Sequence, residues 1–181
     1  MRTTLWKLGM IAVFALGAVG STALADDSST AATPERNGHG STTILAFDTM
    51  IGNPGPNDPA NVIRGFNGGG APWAILRSVH GLLRSNGQLI VIVRGLVVAP
   101  LGANPVPQFR AALSCQDPAD PNGGQLFFTG LFPATMGDKA GDANIIGRVT
   151  LPATCFAPLI LIGSPPSPSS PDGAWFAVTG F

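Results

Sequence analysis

The sequence predicts an all-β fold, an antiparallel Ig-like β-sandwich of about eight strands with one disulfide; a small β-barrel is the alternative. Three observations predict it. Short apolar segments recur between clusters of Gly, Pro, Asn and Asp, and no window sustains a helical period. The densest of them, Leu82 to Val98 ("LLRSNGQLIVIVRGLVV"), sets Asn86-Gly87 ahead of a run dominated by β-branched residues. Two cysteines, Cys115 and Cys155, fall behind a secretory-type amino end, and such a pair is expected to bond in an oxidising compartment.

The amino end comes first. Arg2 and Lys7 precede a short apolar stretch from Leu8 to Gly20, and Ala23-Leu24-Ala25 supplies the small-x-small pattern of a signal peptidase site. About 13 apolar residues are too few for a span that needs ~20. Residues 1–25 are therefore read as a signal peptide cleaved after Ala25. The mature start, 26–40, is small and polar and is expected to be disordered. Residues 41–181 would form a single β domain. The mature chain has 181 − 25 = 156 residues, a length typical of one domain.

Thr42–Phe47 reads as the first strand. Asp48 to Pro72 is Pro/Asn/Gly-rich and lacks periodicity, so 48–72 is read as a long loop of the kind that is often functional. A hairpin follows, with arms near 74–84 and 88–98 around Asn86-Gly87. A two-residue turn would set Leu82 opposite Val91 on one side and Leu83 opposite Ile90 on the other. Both sides are then apolar near the turn. The side not used by the core needs a cover, from the 48–72 loop or from another copy of the chain.

In "QFRAALSC", Gln108 to Cys115, residues Phe109, Ala111, Leu113 and Cys115 share one parity and point inward. The remaining strands are Gln125–Phe128, Ile145–Leu151, Pro158–Ile162 and Ala174–Thr179. Between the last two, "GSPPSPSSPDG" at 163–173 reads as an extended Pro/Ser-rich loop. A bond between Cys115 and Cys155 would close about 41 residues and stabilise by ~4 kcal/mol on the chain-entropy view.

The stretches "APWAI", "NGQLIVIVRGLVV", "ALSC", "RVTLPATCFAPLILI" and "GAWFAVTGF" resemble a group of small exported bacterial proteins of unassigned function. The resemblance covers residues 71–181 and implies a single β-sandwich domain with two cysteines. Its motifs are turn and core residues, so it transfers no active site. Ile90 and Ile92 stand where that pattern has an alternating polar residue.

Composition narrows function by exclusion. Without Arg2 and Lys7 the chain holds 8 basic and 10 acidic residues, Lys139 is its one lysine, and tyrosine is absent. Net charge therefore offers no basic footprint for nucleic acid or anionic lipid. The two histidines, His39 and His80, give no persuasive general base; His80 shares parity with Leu82 and reads as a sheet residue. No Gly-x-Ser-x-Gly, His-Glu-x-x-His or phosphate loop is present, and "NGGG" at Asn67 to Gly70 lacks the Lys-Ser/Thr that would complete one. Glu35 is the sole glutamate. Asp117, Asp120 and Asn122, and again Asp138 and Asp142, offer oxygen ligands of the kind Ca²⁺ takes. Their spacing matches no helix-loop-helix site, and Asp-Pro and Asn-Gly are ordinary turn vocabulary.

No catalytic, cofactor-binding or metal residue is assigned, and no cofactor is expected. The reading is a secreted protein, extracellular, at the cell surface or periplasmic, that binds a partner or serves as a structural surface component. Its partner would be a protein or surface ligand rather than nucleic acid, with no transmembrane segment in the mature chain and homo-oligomerisation left open. Trp73 and Trp175 are candidate anchors, though core packing is the commoner role of such residues. A hydrolase using loop aspartates is the alternative.

Overall fold

The computed structural model describes residues 40–179; the expected signal, the segment 26–39 and His39 lie outside the described residues. Among the described residues there are fourteen strands. Eight are long: β1 (Thr43–Phe47), β5 (Trp73–Arg84), β6 (Gln88–Val98), β8 (Gln108–Asp117), β9 (Asp120–Phe128), β12 (Ala143–Arg148), β13 (Phe156–Gly163) and β14 (Trp175–Thr179). Six are short: β2 (Met50–Gly52), β3 (Val62–Ile63), β4 (Phe66–Asn67), β7 (Ala103–Asn104), β10 (Phe132–Pro133) and β11 (Gly137–Asp138). The eight long strands fall on the eight segments expected from the sequence, with shifted ends. The expected strand Ile145–Leu151, for example, runs instead over Ala143–Arg148.

Twelve of these strands form two open six-stranded antiparallel sheets, not a barrel, and β3 and β4 pair as a separate hairpin. In the first, β1-β5-β6 continue into β7 and β11 past the end of β6, while β12 lies along the earlier part of β6. In the second, the order is β10-β8-β13-β14-β2, with β9 also on β8. The main core fills the space between them. Val79, Leu83, Leu89, Val91, Val93 and Ile145 enter from the first sheet, and Phe109, Ala111, Leu113 and Cys115 from β8 with the expected parity. Trp73 is one of its anchors, stacked on Phe176 with ring centroids 3.9 Å apart. Cys115 and Cys155 are bonded, with Cα atoms 4.9 Å apart.

The central hairpin corrects the expected register. Three residues, Ser85, Asn86 and Gly87, separate β5 from β6, so Leu82 faces Ile90 and Leu83 faces Leu89. Gly87 has φ +80 and donates to the Arg84 carbonyl, the arrangement of a three-residue loop with a left-handed last residue. A Cβ there would sit 2.4 Å from the Val149 carbonyl oxygen, which also forbids a side chain. The inner row is therefore Leu83, Leu89, Val91 and Val93. The outer row, Ala46, Leu82, Ile90 and Ile146, runs in register across β1, β5, β6 and β12. Leu82, Ile90 and Ile92 are half-buried and Ile146 is exposed.

Residues 48–72 do not cover that row. They run along the other sheet: β2 pairs with β14, a 3-10 turn spans Pro59–Asn61, and the β3–β4 hairpin follows. Here Phe66 and Ile63 pack on the outer side chains Ala112, Leu159, Leu161, Trp175 and Val178, making a second core. The excursion is pinned by polar contacts to one stretch of β14. Asn53, fully buried, donates from Nδ2 to the Trp175 carbonyl and from its backbone to that of Phe176, and Trp175 Nε1 donates to the Asn61 carbonyl. Gly68 sits inside this cluster, where a Cβ would lie 1.7 Å from Asn53 Nδ2.

Candidate functional site

The sequence-designated residues do not converge. Asp117 and Asp120 are register partners at the β8–β9 turn, and each carboxylate accepts from an amide two residues on, Ala119 and Asn122 respectively. Such Asx turns account for one oxygen of each carboxylate without a cation. Asp142 accepts from the Gly95 amide and pairs with Arg77; Asp138 lies in β11 beside Ala103. Among the described residues no group of three or more His, Cys, Asp or Glu is placed to hold a metal ion. His80 is exposed on the outer face of the first sheet, opposite Ile92. Trp73 and Trp175 are both buried, so neither is an exposed anchor.

A polar cleft of about 460 Å³ lies over Arg94, Thr135 and Asp142. Its groups already bond to one another and to the backbone: Arg94 donates to the Val93 and Ala143 carbonyls and to Asn144, and Thr135 Oγ1 accepts from the Asp142 amide. Asp142 shares this lining with Arg94, so the cleft presents charges of both signs to a ligand.

A different concavity lies where the 48–72 excursion crosses the outer face of the second sheet. A cavity of about 430 Å³ opens there, its walls made by Ile51, Val62, Ile63, Leu159, Trp175 and Val178. Ile51 and Val62 remain 57% and 50% exposed, so the apolar rim faces solvent. A second cavity of about 480 Å³ adjoins it beyond Arg64 and Leu159, which line both. Both volumes fall in the range of ligand pockets, and an apolar wall with a few placed polar groups is the usual composition of one.

Arg64 is the cation of this groove, and the backbone holds it there at a cost. Ile63 faces Phe66 across the β3–β4 turn, and both turn residues, Arg64 at φ +51 and Gly65 at φ +79, are left-handed. That is a two-residue type I′ hairpin, whose first position favours Asn, Asp or Gly. A long side chain held in the left-handed region costs of order 1–3 kcal/mol. From that turn the guanidinium reaches back to the sheet. Nη1 donates to the Ser114 carbonyl at 3.0 Å and Nη2 to the Ala157 carbonyl at 2.6 Å. Ala157 sits in the β-bulge between Phe156 and Leu159 and has φ +41. Two of the three left-handed non-glycine residues among the described residues thus meet in one hydrogen bond, the third being Lys139.

The electrostatics are one-sided. Burial pushes the Arg64 guanidinium below its ordinary pKa, the direction expected when a cation loses water. Its acceptors are the neutral carbonyls and the Ser114 hydroxyl, and among the described residues the one ion pair is Arg77 with Asp142. Arg110, by contrast, is buried over the Phe128 ring at 3.8 Å, donates to the Ser164 carbonyl and feels the charge of Asp172. It fastens the 163–173 loop, whereas Arg64 borders open space.

No protein-family model matches the chain, and no curated protein or solved structure matches it at a significant level. The site therefore stands on its geometry. The arrangement can hold an apolar body against Trp175 and Val62 and place a polar group on Arg64. Sequence reasoning missed this groove. The signal that could have found it is the set Ile51, Val62, Ile63 and Phe66 inside a stretch otherwise made of turn residues.

Proposed function

We propose that this protein is an exported binding module whose ligand occupies the groove between the 48–72 excursion and the outer face of the second sheet. The observation that carries the reading is the solvent-open apolar cavity of about 430 Å³ floored by Trp175 and bordered by Arg64. A soluble domain gains nothing in stability by leaving Ile51 and Val62 at an open rim, and exposed apolar concavities commonly mark binding sites. Export is supported by the signal-type amino end and by the Cys115–Cys155 bond, which suits an oxidising compartment. Among the described residues no helix is long and apolar enough to cross a membrane.

The test uses the neutral fluorescent probe N-phenyl-1-naphthylamine. It should bind the wild-type protein with saturation, and Ile51→Trp, which fills the rim from an exposed position, should weaken it while leaving the melting midpoint unchanged. A probe that fails to bind, or binds the filled variant equally well, refutes the groove as a ligand site.

A further inference from the structure

We infer that the groove selects an amphipathic anion, its acidic head group on the Arg64 guanidinium and its hydrocarbon body against Ile51, Val62 and Trp175. The inference rests on the reading of the groove as a ligand site and names the class of ligand. Three independent observations meet at Arg64.

The first is placement. A type I′ turn is served best by a short residue at its first position, yet a long cationic side chain stands there at φ +51, on the rim shared by two cavities. Backbone strain of this kind persists where the surrounding structure holds it, and it clusters at ligand clamps. The acceptor of its shortest bond, Ala157, is itself left-handed in a bulge, and bulges re-aim chain segments beside sites.

The second is the lack of charge compensation. The guanidinium contacts two carbonyls and a hydroxyl, and among the described residues no carboxylate pairs with it, the one ion pair being Arg77 with Asp142. A half-buried cation without a counter-ion is stabilised by an anion that supplies one. Arginine presents five N–H donors in a planar fork that matches carboxylate, sulfate or phosphate oxygens, and its protein contacts leave part of that fork for a ligand. Burial has moved its pKa downward with no acidic neighbour opposing the shift, in agreement with an unpaired cation.

The third is what lies around it. Toward Ile51, Val62 and Val178 the wall is aliphatic. On the other side Leu45 and Phe47 continue the apolar lining, with Gln116 and Thr179 beside them. Arg64 is the one charged residue on either lining, so a ligand with one acidic end and one apolar end fits, and a wholly apolar one leaves the guanidinium unanswered.

Decanoate, decyl sulfate, decanol and decyltrimethylammonium, each kept below its micelle concentration, test the inference by calorimetry on the wild-type protein and on Arg64→Asn. Asn suits the left-handed turn position, which offsets the bonds to Ser114 and Ala157 that the variant gives up, so its melting midpoint should stay near that of wild type; Arg64→Gly, which also tolerates positive φ, serves as the second variant. The two anions should bind wild type roughly tenfold or more tighter than decanol, with the ammonium weakest, the difference expected when a charge-assisted pair is present or absent. In either variant that preference should fall to about unity while N-phenyl-1-naphthylamine still binds. Decanol matching decanoate on wild type overturns anion selection and leaves the groove reading intact. Persistence of the preference without Arg64 overturns the assignment to that residue. Failure of all four ligands and of the naphthylamine probe overturns both readings together.

Discussion

Phe66→Ala measures whether the 48–72 excursion belongs to the folded unit or only rests upon it. Phe66 is 5% exposed and meets the Phe128 ring edge-on at a centroid distance of 6.2 Å, over Ala112, Leu161 and Val178. Truncating a buried Phe to Ala costs about 3–5 kcal/mol, of which the ring pair accounts for about 0.5–1.5 kcal/mol. With an m-value of about 2 kcal/mol per M, the urea midpoint should fall by about 2 M. Urea melts followed by far-ultraviolet dichroism and by tryptophan fluorescence should move together, because Trp175 sits in the same cluster. Native-state hydrogen exchange should also show the amides of Gly68 and Gly69, bonded to the Asn61 and Trp175 carbonyls, losing protection first. A loss below about 1 kcal/mol with coincident transitions would refute the reasoning, since the excursion would then add nothing to the cooperative unit.

Cys115 and Cys155 should give an intact mass two hydrogens below the dithiol in the exported protein, and Cys115→Ser with Cys155→Ser should cost ~4 kcal/mol for a separation of 40 residues; free thiols in freshly secreted material would contradict this. Excess Ca²⁺ and chelator should give the same melting midpoint, because Asp117 and Asp120 are engaged in their own turns; a rise of several degrees, as from a ligand worth ~2.7 kcal/mol at 100 times its dissociation constant, would show a site. Ile90→Thr with Ile92→Thr removes half-buried side chains from the outer row of the first sheet and should lower stability by about 1–2 kcal/mol, less than full burial would give. Light scattering on that variant reports whether a second copy covers the row, and an unchanged midpoint with unchanged scattering would leave the row with no structural role.

The long strands were legible because each satisfies a local rule. "QFRAALSC" alternates over eight residues, and its odd row, Phe109 to Cys115, lies in the core. The bond from Cys115 to Cys155 followed from their number and the signal-type start. The hairpin was legible as a hairpin but not in register, because Asn-Gly fits both a two-residue turn and the end of a three-residue loop. One residue of difference moved Leu82 and Leu83 to opposite faces from those expected. The 48–72 stretch was misread for another reason. Its strands are two or three residues long, too short to display a period, and they are held by packing on residues far away in sequence. Arg64 depends on Ser114 and Ala157, 50 and 93 residues distant. Its left-handed backbone is a conformation that no Arg announces.

The disulfide also decides how the domain would carry a load. Cys115 lies in β8 and Cys155 immediately before β13, its hydrogen-bonded neighbour, so the bond joins strands within one sheet. The ring it closes leaves the second sheet, contributes β11 and β12 to the first, and returns. If the domain is pulled from its two ends, tension passes across the sulfur bridge and bypasses every residue between 115 and 155. Those residues stay slack while β2 shears from β14 and β8 from β13. With 40 residues bridged, the fully stretched chain is shorter by about 130–140 Å. Adding a reductant during single-molecule stretching would release that length in a single late step.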